Sequence, residues 1–326
     1  MSENPRLLGV LVTYRRPRDL ERTLMVLASQ DRRLDRLVVV DNLPTVETEG
    51  IVRSATDAAG AVDYLPMGEN LGFPGGLATG MAALLPSAED RDWIVVLDDD
   101  DPPEGDEVFG SLLGFGEQTL LGEPRTAAVG LRGARFDWSR GLLERVRTSD
   151  IQAAVPVDCI AGNAIPMYRV GALRAVGTFT PELFFSHEEL DLGLRLEHAG
   201  YHLYAHGAAW KQRRQRKARP DDLAEERWRV APNWRSYYSL RNSIYILRTN
   251  GRRGSAMRIS VSRGFLKPLV NLPLAPRKAI QALRLNARAC ADAWRGRLGR
   301  RVEPDPAQPR PKKAAAAVSN AARDRT

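Results

Sequence analysis

Apolar residues recur in two rhythms along this chain. Residues 7–13 (LLGVLVT), 37–40 (LVVV) and 93–97 (WIVVL) are short unbroken apolar runs rich in β-branched side chains, which predicts buried strands. A further strand is expected around Val62 to Leu65. Between the first two runs, Leu20, Leu24 and Leu27 fall at helical spacing, and Pro17 suits the first turn of a helix over 17–29. Further helices are predicted over 45–59 and, after the loop Gly72 to Gly76, over 77–85. Strands alternating with helices imply βαβ units, a mainly parallel sheet and right-handed crossovers.

The second half is less regular. Ala127 to Leu131 reads as a strand and 137–157 as loop and edge structure. Glu188 to Ala199 predicts a helix with Leu190 and Leu194 on one face and Gly200 as its stop. Another helix is expected over 233–249. From 251 onward, Met257, Ile259, Val261, Phe265, Leu266, Leu269 and Val270 mix with Arg and Lys. Pro268, Pro273 and Pro276 interrupt that stretch, so short amphipathic helices are expected there. Residues 302–326, rich in Pro, Ala and charge, predict disorder. The division that follows is a domain over 1–250, a basic helical region over 251–300 and a tail over 301–326.

Charge sharpens this division. Residues 1–250 hold 30 Lys/Arg against 36 Asp/Glu, a net of −6, whereas the last 76 residues hold 18 cations and four acids, a net of +14. A basic end of this kind suits an anionic membrane surface, nucleic acid or another polyanion. No nucleic-acid motif accompanies it. Cys159 and Cys290 are too few for a disulfide framework or a zinc site. No apolar run approaches the ~20 residues of a membrane span, and the start MSENPRLLGV lacks the layout of a signal peptide. The cytoplasm is the expected location, with peripheral contact at the inner face of the plasma membrane.

Asp98, Asp99, Asp100 and Asp101 directly follow the apolar run 93–97, and Pro102-Pro103 ends it. Four adjacent carboxylates repel one another, and a divalent cation bridging to a diphosphate would relieve them. A solvated acidic turn could carry the same residues. Thr13, Tyr14, Arg15 and Arg16 follow the first strand, and Asp41-Asn42 follows the second. In a parallel sheet these three carboxyl-terminal ends line one crevice. The loop Gly68-Glu69-Asn70-Leu71-Gly72-Phe73-Pro74-Gly75-Gly76 would bring backbone close to a ligand there, although it is neither a P-loop nor a clean G-x-G-x-x-G. In Leu183-Phe184-Phe185-Ser186-His187-Glu188-Glu189-Leu190-Asp191, three acids open a helix. They could favour the helix dipole, or one of them could serve as a general base behind the apolar residues.

The ordered set VLVTYRRPRDLERTLMVLASQ, LDRLVVVDN, ENLGFPGGLATGM, DWIVVLDDDDPP, AGNAIPMYRVGALRAVGTF, LFFSHEELDLGLRLEHAGY and YYSLRNSIYILR resembles the inverting family 2 glycosyltransferases of GT-A fold. It is most similar in look to actinobacterial galactofuranosyl and rhamnosyl transferases of cell-envelope polysaccharide assembly. The resemblance implies a nucleotide-sugar half over about 1–131 and an acceptor half over about 132–250. It implies that Thr13, Tyr14, Arg15, Asp41, Asn70, Gly72 and Asp99 bind the nucleotide sugar. The family's D-x-D falls on Asp98 and Asp100, which would bind Mg²⁺ or Mn²⁺; a shift to Asp99 and Asp101 is the alternative register. Glu189 takes the slot of the catalytic carboxylate, with Glu188 and Asp191 flanking it. Lys211 stands where related chains often carry a metal-binding histidine and would contact diphosphate instead. The implied reaction moves a sugar from a UDP-galactofuranose- or dTDP-rhamnose-type donor to a glycan or polyprenyl-linked glycan acceptor. A sugar-1-phosphate nucleotidyltransferase, or a degenerate transferase-like scaffold, are the competing readings.

Overall fold

A computed structural model describes residues 4–59, 61–144, 146–216 and 232–304. The disorder expected over 302–326 therefore lies, apart from 302–304, outside the described residues. Among the described residues ten strands appear: β1 (Leu7–Thr13), β2 (Arg36–Asp41), β3 (Ala61–Pro66), β4 (Trp93–Asp98), β5 (Thr126–Gly130), β6 (Arg135–Asp137), β7 (Leu142–Glu144), β8 (Ala154–Val157), β9 (Met167–Arg169) and β10 (His202–His206). Eleven α-helices accompany them: α1 (Pro17–Ala28), α2 (Val46–Ala59), α3 (Gly72–Leu84), α4 (Val108–Gly122), α5 (Val170–Val176), α6 (Glu188–His198), α7 (Gly207–Arg216), α8 (Trp234–Thr249), α9 (Arg253–Ile259), α10 (Lys267–Val270) and α11 (Pro276–Trp294). A π-helical segment, Ser260–Leu266, joins α9 to α10.

Eight strands form one sheet in the order β3-β2-β1-β4-β9-β5-β10-β8. The β3-β2-β1-β4 block is parallel, β9 runs antiparallel to both neighbours, and β8 closes the edge antiparallel to β10. Side chains alternate across the sheet with the period of two that a strand dictates. Leu8, Val10 and Val12 of β1 face one core, with Leu77 and Met81 of α3 and Leu192 and Leu196 of α6. Leu7 and Leu11 face the other, with Leu20, Leu24 and Leu27 of α1 and Phe109 and Leu112 of α4. A third cluster joins α6 to α8, α9 and α11 through Phe184, Leu190, Tyr237, Ile244 and Ile259.

Several expectations shift. Helix α3 begins at Gly72, taking in the glycine loop that was expected to precede it. Gly76, expected to bring backbone to a ligand, instead lets the helix lie close to β1, since a Cβ there would come 2.7 Å from Val12, and a Cβ at Gly75 would come 2.8 Å from Leu71 at the helix's own cap. Pro276 opens α11, a helix of 19 residues, because a proline at the first position costs no hydrogen bond. The region after 251 is thus not built only from short pieces. Helix α4, strand β9 and helix α7 have no counterpart in the sequence reading.

Candidate active site

A cavity of about 350 Å³ opens over the carboxyl ends of β1, β2 and β4. Thr13, Tyr14, Arg15 and Arg16 supply one wall, and Asn42, Asn70 and Gly72 another. Asp98 and Asp99 form its floor, while Phe184, Phe185, Trp234 and Arg235 reach it from the second half of the chain. The three strand ends converge as a parallel sheet requires.

The aspartates divide into distinct environments. Asp99 is buried and accepts hydrogen bonds from Thr13 Oγ1 at 3.0 Å and Arg16 Nη1 at 2.8 Å. Its main-chain carbonyl accepts a further bond from Thr23 Oγ1 at 2.8 Å. Burial pushes its carboxyl up to about 6, reinforced by Asp98 and Asp100 and opposed by Arg16 and Thr13. Asp99 thus ties β4 to the loop after β1. Arg16 also pairs with Asp100 at 2.9 Å, so one guanidinium spans two of the carboxylates. Ligand oxygens of Asp98, Asp99 and Asp100 lie within 4.8 Å of one another. An all-oxygen set at this spacing fits a hard divalent cation.

Asn42, beside Asp41 at the end of β2, links two strand ends to α3. Its amide Nδ2 donates to Gly72 O at 3.1 Å, and its Oδ1 accepts from Leu71 N at 3.1 Å. Asn70 Oδ1 accepts from Gly72 N at 2.9 Å. Gly72 has φ +74°, and a Cβ there would collide with the carbonyl of Phe184. That carbonyl accepts a hydrogen bond from Phe73 N at 3.2 Å. The glycine is required because the start of α3 touches the loop that leads into α6.

Glu189 lies in the first turn of α6, half-buried, and its Oε1 accepts from Gly162 N at 2.8 Å. A Cβ placed on Gly162 would sit 3.4 Å from Glu189 Oε1, 3.8 Å from Phe73 and 4.0 Å from Asp98 Oδ2. Glu189 and Asp98 therefore approach the same point of backbone, although 91 positions separate them in sequence. Glu188 is buried on the other side. Burial pushes the Cys159 thiol and the Tyr168 hydroxyl well up, and both glutamates raise them further.

The turn before α6 is unusual. Phe184, Ser186 and His187 all have positive φ, at +58°, +72° and +69°. Left-handed non-glycine residues cost about 1–3 kcal/mol each and persist only where surrounding contacts over-determine them. Here α8 supplies those contacts. Asn242 Nδ2 donates to Leu183 O at 3.1 Å, Phe185 O at 2.8 Å and Ser186 O at 2.8 Å. The buried Arg241 adds a bond from Nη2 to Leu183 O at 2.8 Å. His187 bridges Ser186 Oγ at 2.9 Å and Ser243 Oγ at 3.0 Å. Burial pulls its pKa down to about 4, helped by the charge of Arg263.

Three other predicted positions stand apart from the cavity wall. Asp41 is buried at the end of β2, where its carboxylate accepts from Tyr64 Oη at 2.9 Å and Leu43 N at 3.0 Å. Asp191 accepts from Thr180 Oγ1 at 2.7 Å and Arg195 Nε at 3.1 Å, bracing α6. Lys211 is exposed on α7. His206, the nearest histidine in sequence, stacks on Phe115 with ring centroids 4.5 Å apart. Gly162, Arg241 and Asn242 are the residues that sequence reasoning missed, and each acts through backbone groups distant in the chain.

Residues 10–119 match the model of Glycosyl transferase family 2. Galactofuranosyltransferase GlfT1 of Mycobacterium tuberculosis (strain ATCC 25618 / H37Rv) is 31% identical over 199 residues, covering 59% of this chain and 64% of that protein. The GlfT1 of Mycolicibacterium smegmatis (strain ATCC 700084 / mc(2)155) is 31% identical over 204 residues, covering 59% and 65%. The chain thus spans just under two thirds of the length of the curated relatives it matches. Among solved structures, mannosyltransferase PcManGT from Pyrobaculum calidifontis, in complex with GDP-Man and Mn²⁺, superposes with a TM-score of 0.50 at 16% identity over 90% of this chain and 76% of that one. GalNAc-T7 with UDP, GalNAc and Mn²⁺ gives a TM-score of 0.50 at 13% identity over 69% and 54%. The fold is that of the GT-A glycosyltransferases.

Proposed function

We propose that this chain, which carries a Glycosyl transferase family 2 domain, transfers a sugar from a nucleoside-diphosphate donor to an acceptor hydroxyl with inversion at the anomeric carbon. The approach of Glu189 to the Gly162 backbone, with Asp98 of the cavity lining alongside, carries this reading. It sets a proton acceptor beside the carboxylates that face the diphosphate.

In this assignment Thr13, Tyr14, Arg15, Asn42, Asn70 and Gly72 bind the nucleoside and sugar. Asp98 and Asp100 would hold Mg²⁺ or Mn²⁺, which when bound supplies positive charge against the departing diphosphate. Asp99 positions Thr13 and Arg16. Glu189 takes the proton of the acceptor hydroxyl as that oxygen attacks the anomeric carbon from the face opposite the diphosphate. The carbon–oxygen bond to the diphosphate breaks as the new one forms, so a single displacement inverts configuration. The Gly162 N–H holds Glu189 Oε1 in place. Glu188 and Asp191 act as flanking and positioning acids, Asp41 fixes the end of β2, and Lys211 has no place in the step.

The 31% identity to galactofuranosyltransferases favours a UDP-galactofuranose-type donor over a dTDP-rhamnose type, and a glycan or polyprenyl-linked glycan acceptor in cell-wall assembly. The basic region 251–300 is assigned to the acceptor side, against an anionic membrane surface. Among the described residues no helix is long and apolar enough to cross a membrane. A panel of nucleotide sugars incubated with purified protein and Mg²⁺ or Mn²⁺ tests the proposal. One donor bound through Asp98 and turned over only with Glu189 intact is expected. Binding of no donor, with or without metal, would sink it.

A further inference from the structure

A second cavity, of about 240 Å³, lies between α8, the π-helical segment, α10 and α11. Arg263 and Lys267 enter it from one side, Ser236 and Ser239 from another, and Asn286 from α11. Its chemistry differs from that of the first cavity. Among the described residues no aspartate or glutamate lines it, and residues 232–304 hold 16 Lys/Arg against only Asp292 and Glu303. Both of those acids are engaged elsewhere, Asp292 by Tyr237 and Arg288 and Glu303 by Arg300.

We propose that this pocket is a second binding site, for a phosphate- or diphosphate-type oxyanion held by Arg263 and Lys267 together with the Ser239 hydroxyl. Two cations brought together without a carboxylate partner repel one another, and burial makes each costlier to keep charged. Both penalties show in the groups themselves: burial pulls Arg263 below its ordinary value, and Lys267 is pulled down by burial and then by Arg263. A doubly charged oxyanion removes both at once, and tetrahedral oxygens suit a guanidinium fork beside an ammonium.

The backbone supports the same assignment. Arg263 sits on the π-helical turn and Lys267 four residues later, and π-helical turns are frequent at functional sites. Asn286 Nδ2 donates to the carbonyls of Arg263 at 3.2 Å and Gly264 at 3.1 Å, fixing the turn to α11. Phe265, Leu266, Leu269 and Val270, on the same segments, are exposed. A phosphate that is part of a lipid headgroup would bring an apolar neighbour for them. A soluble phosphate would not.

The test is titration calorimetry of the full chain with inorganic pyrophosphate, without divalent cations, alongside cosedimentation with phosphatidic acid or phosphatidylcholine vesicles. The expected result is pyrophosphate binding that persists in Arg16→Gln and weakens about tenfold or more in the double variant Arg263→Gln/Lys267→Gln. Silence toward pyrophosphate, with phosphatidic acid binding that needs Arg263 and Lys267 and not the exposed pair Arg277 and Lys278, supports the site and assigns its anion to a headgroup. Binding that is unchanged in the double variant, or absent for both probes, overturns the proposal. Ser239→Asp guards against misfolding: it supplies an internal carboxylate, so it should abolish binding while raising the melting temperature. Lost binding with a lowered melting temperature in Ser239→Asp counts against the site.

Discussion

Glu189 Oε1 accepts the backbone N–H of Gly162 at 2.8 Å, which joins the first turn of α6 to the turn that passes beside Asp98. A glutamine keeps a carbonyl oxygen for Gly162 but cannot take a proton. Glu189→Gln should therefore lower kcat by about 10²–10⁴-fold, the usual contribution of a general base, while donor affinity and melting temperature stay near those of the parent. Steady-state kinetics with calorimetric donor titration reads both quantities.

Asp98 and Asp99 should separate in their effects. Asp98→Ala removes an oxygen facing the cavity and should abolish metal-supported donor binding with little change in stability. Asp99→Ala strips partners from Thr13 and Arg16, which should cost about 1–3 kcal/mol of stability as well as binding. Chemical denaturation beside donor titration distinguishes them.

Gly72→Ala places a methyl against the carbonyl of Phe184 at a backbone angle of φ +74°. The angle alone costs about 1–3 kcal/mol, and the collision adds to it. Loss of stability and of turnover together, with Gly68→Ala silent because its Cβ meets nothing, is the expected pattern.

His187 gives a pH dependence. Its folded pKa, about 4, lies below the ordinary 6.5, so the unfolded chain binds the extra proton first as pH falls. Its contribution to stability is fully present above pH 6.5 and is lost as pH drops through the window down to 4. The window is worth about 3 kcal/mol. Denaturation midpoints of His187→Gln should fall less steeply across that window than those of the parent.

Lys211→Ala should leave donor affinity within about twofold, since the side chain is exposed on α7 and outside the cavity lining. A larger loss of affinity would return Lys211 to the diphosphate.

The first half of this fold was legible because its strands are continuous apolar runs and its functional groups follow them immediately. Thr13 and Asp98 need only the rule that parallel strands point the same ends at one crevice. Helix α4 escaped because Gly110, Gly114 and Gly116 blur its periodicity, and β9 because three residues carry no pattern. Gly162 and Asn242 were invisible for another reason. Their partners lie 27 and 56 to 59 positions away and are joined through amide and carbonyl groups that every residue possesses. Lys211, placed through the resemblance at the position of a histidine, lies exposed on α7 directly after β10.

Asn242 grips the carbonyls of Leu183, Phe185 and Ser186 and none of their side chains. The side chain of Phe185 can therefore change during divergence without loosening the anchor beneath it, whereas Leu183 and Phe184 are also held by the core. Phe185, which reaches into the cavity, is open to selection for new substrates, while Arg241, Asn242 and Ser243 bear the constraint on the turn. The arrangement separates innovation from foldability along a single stretch of chain.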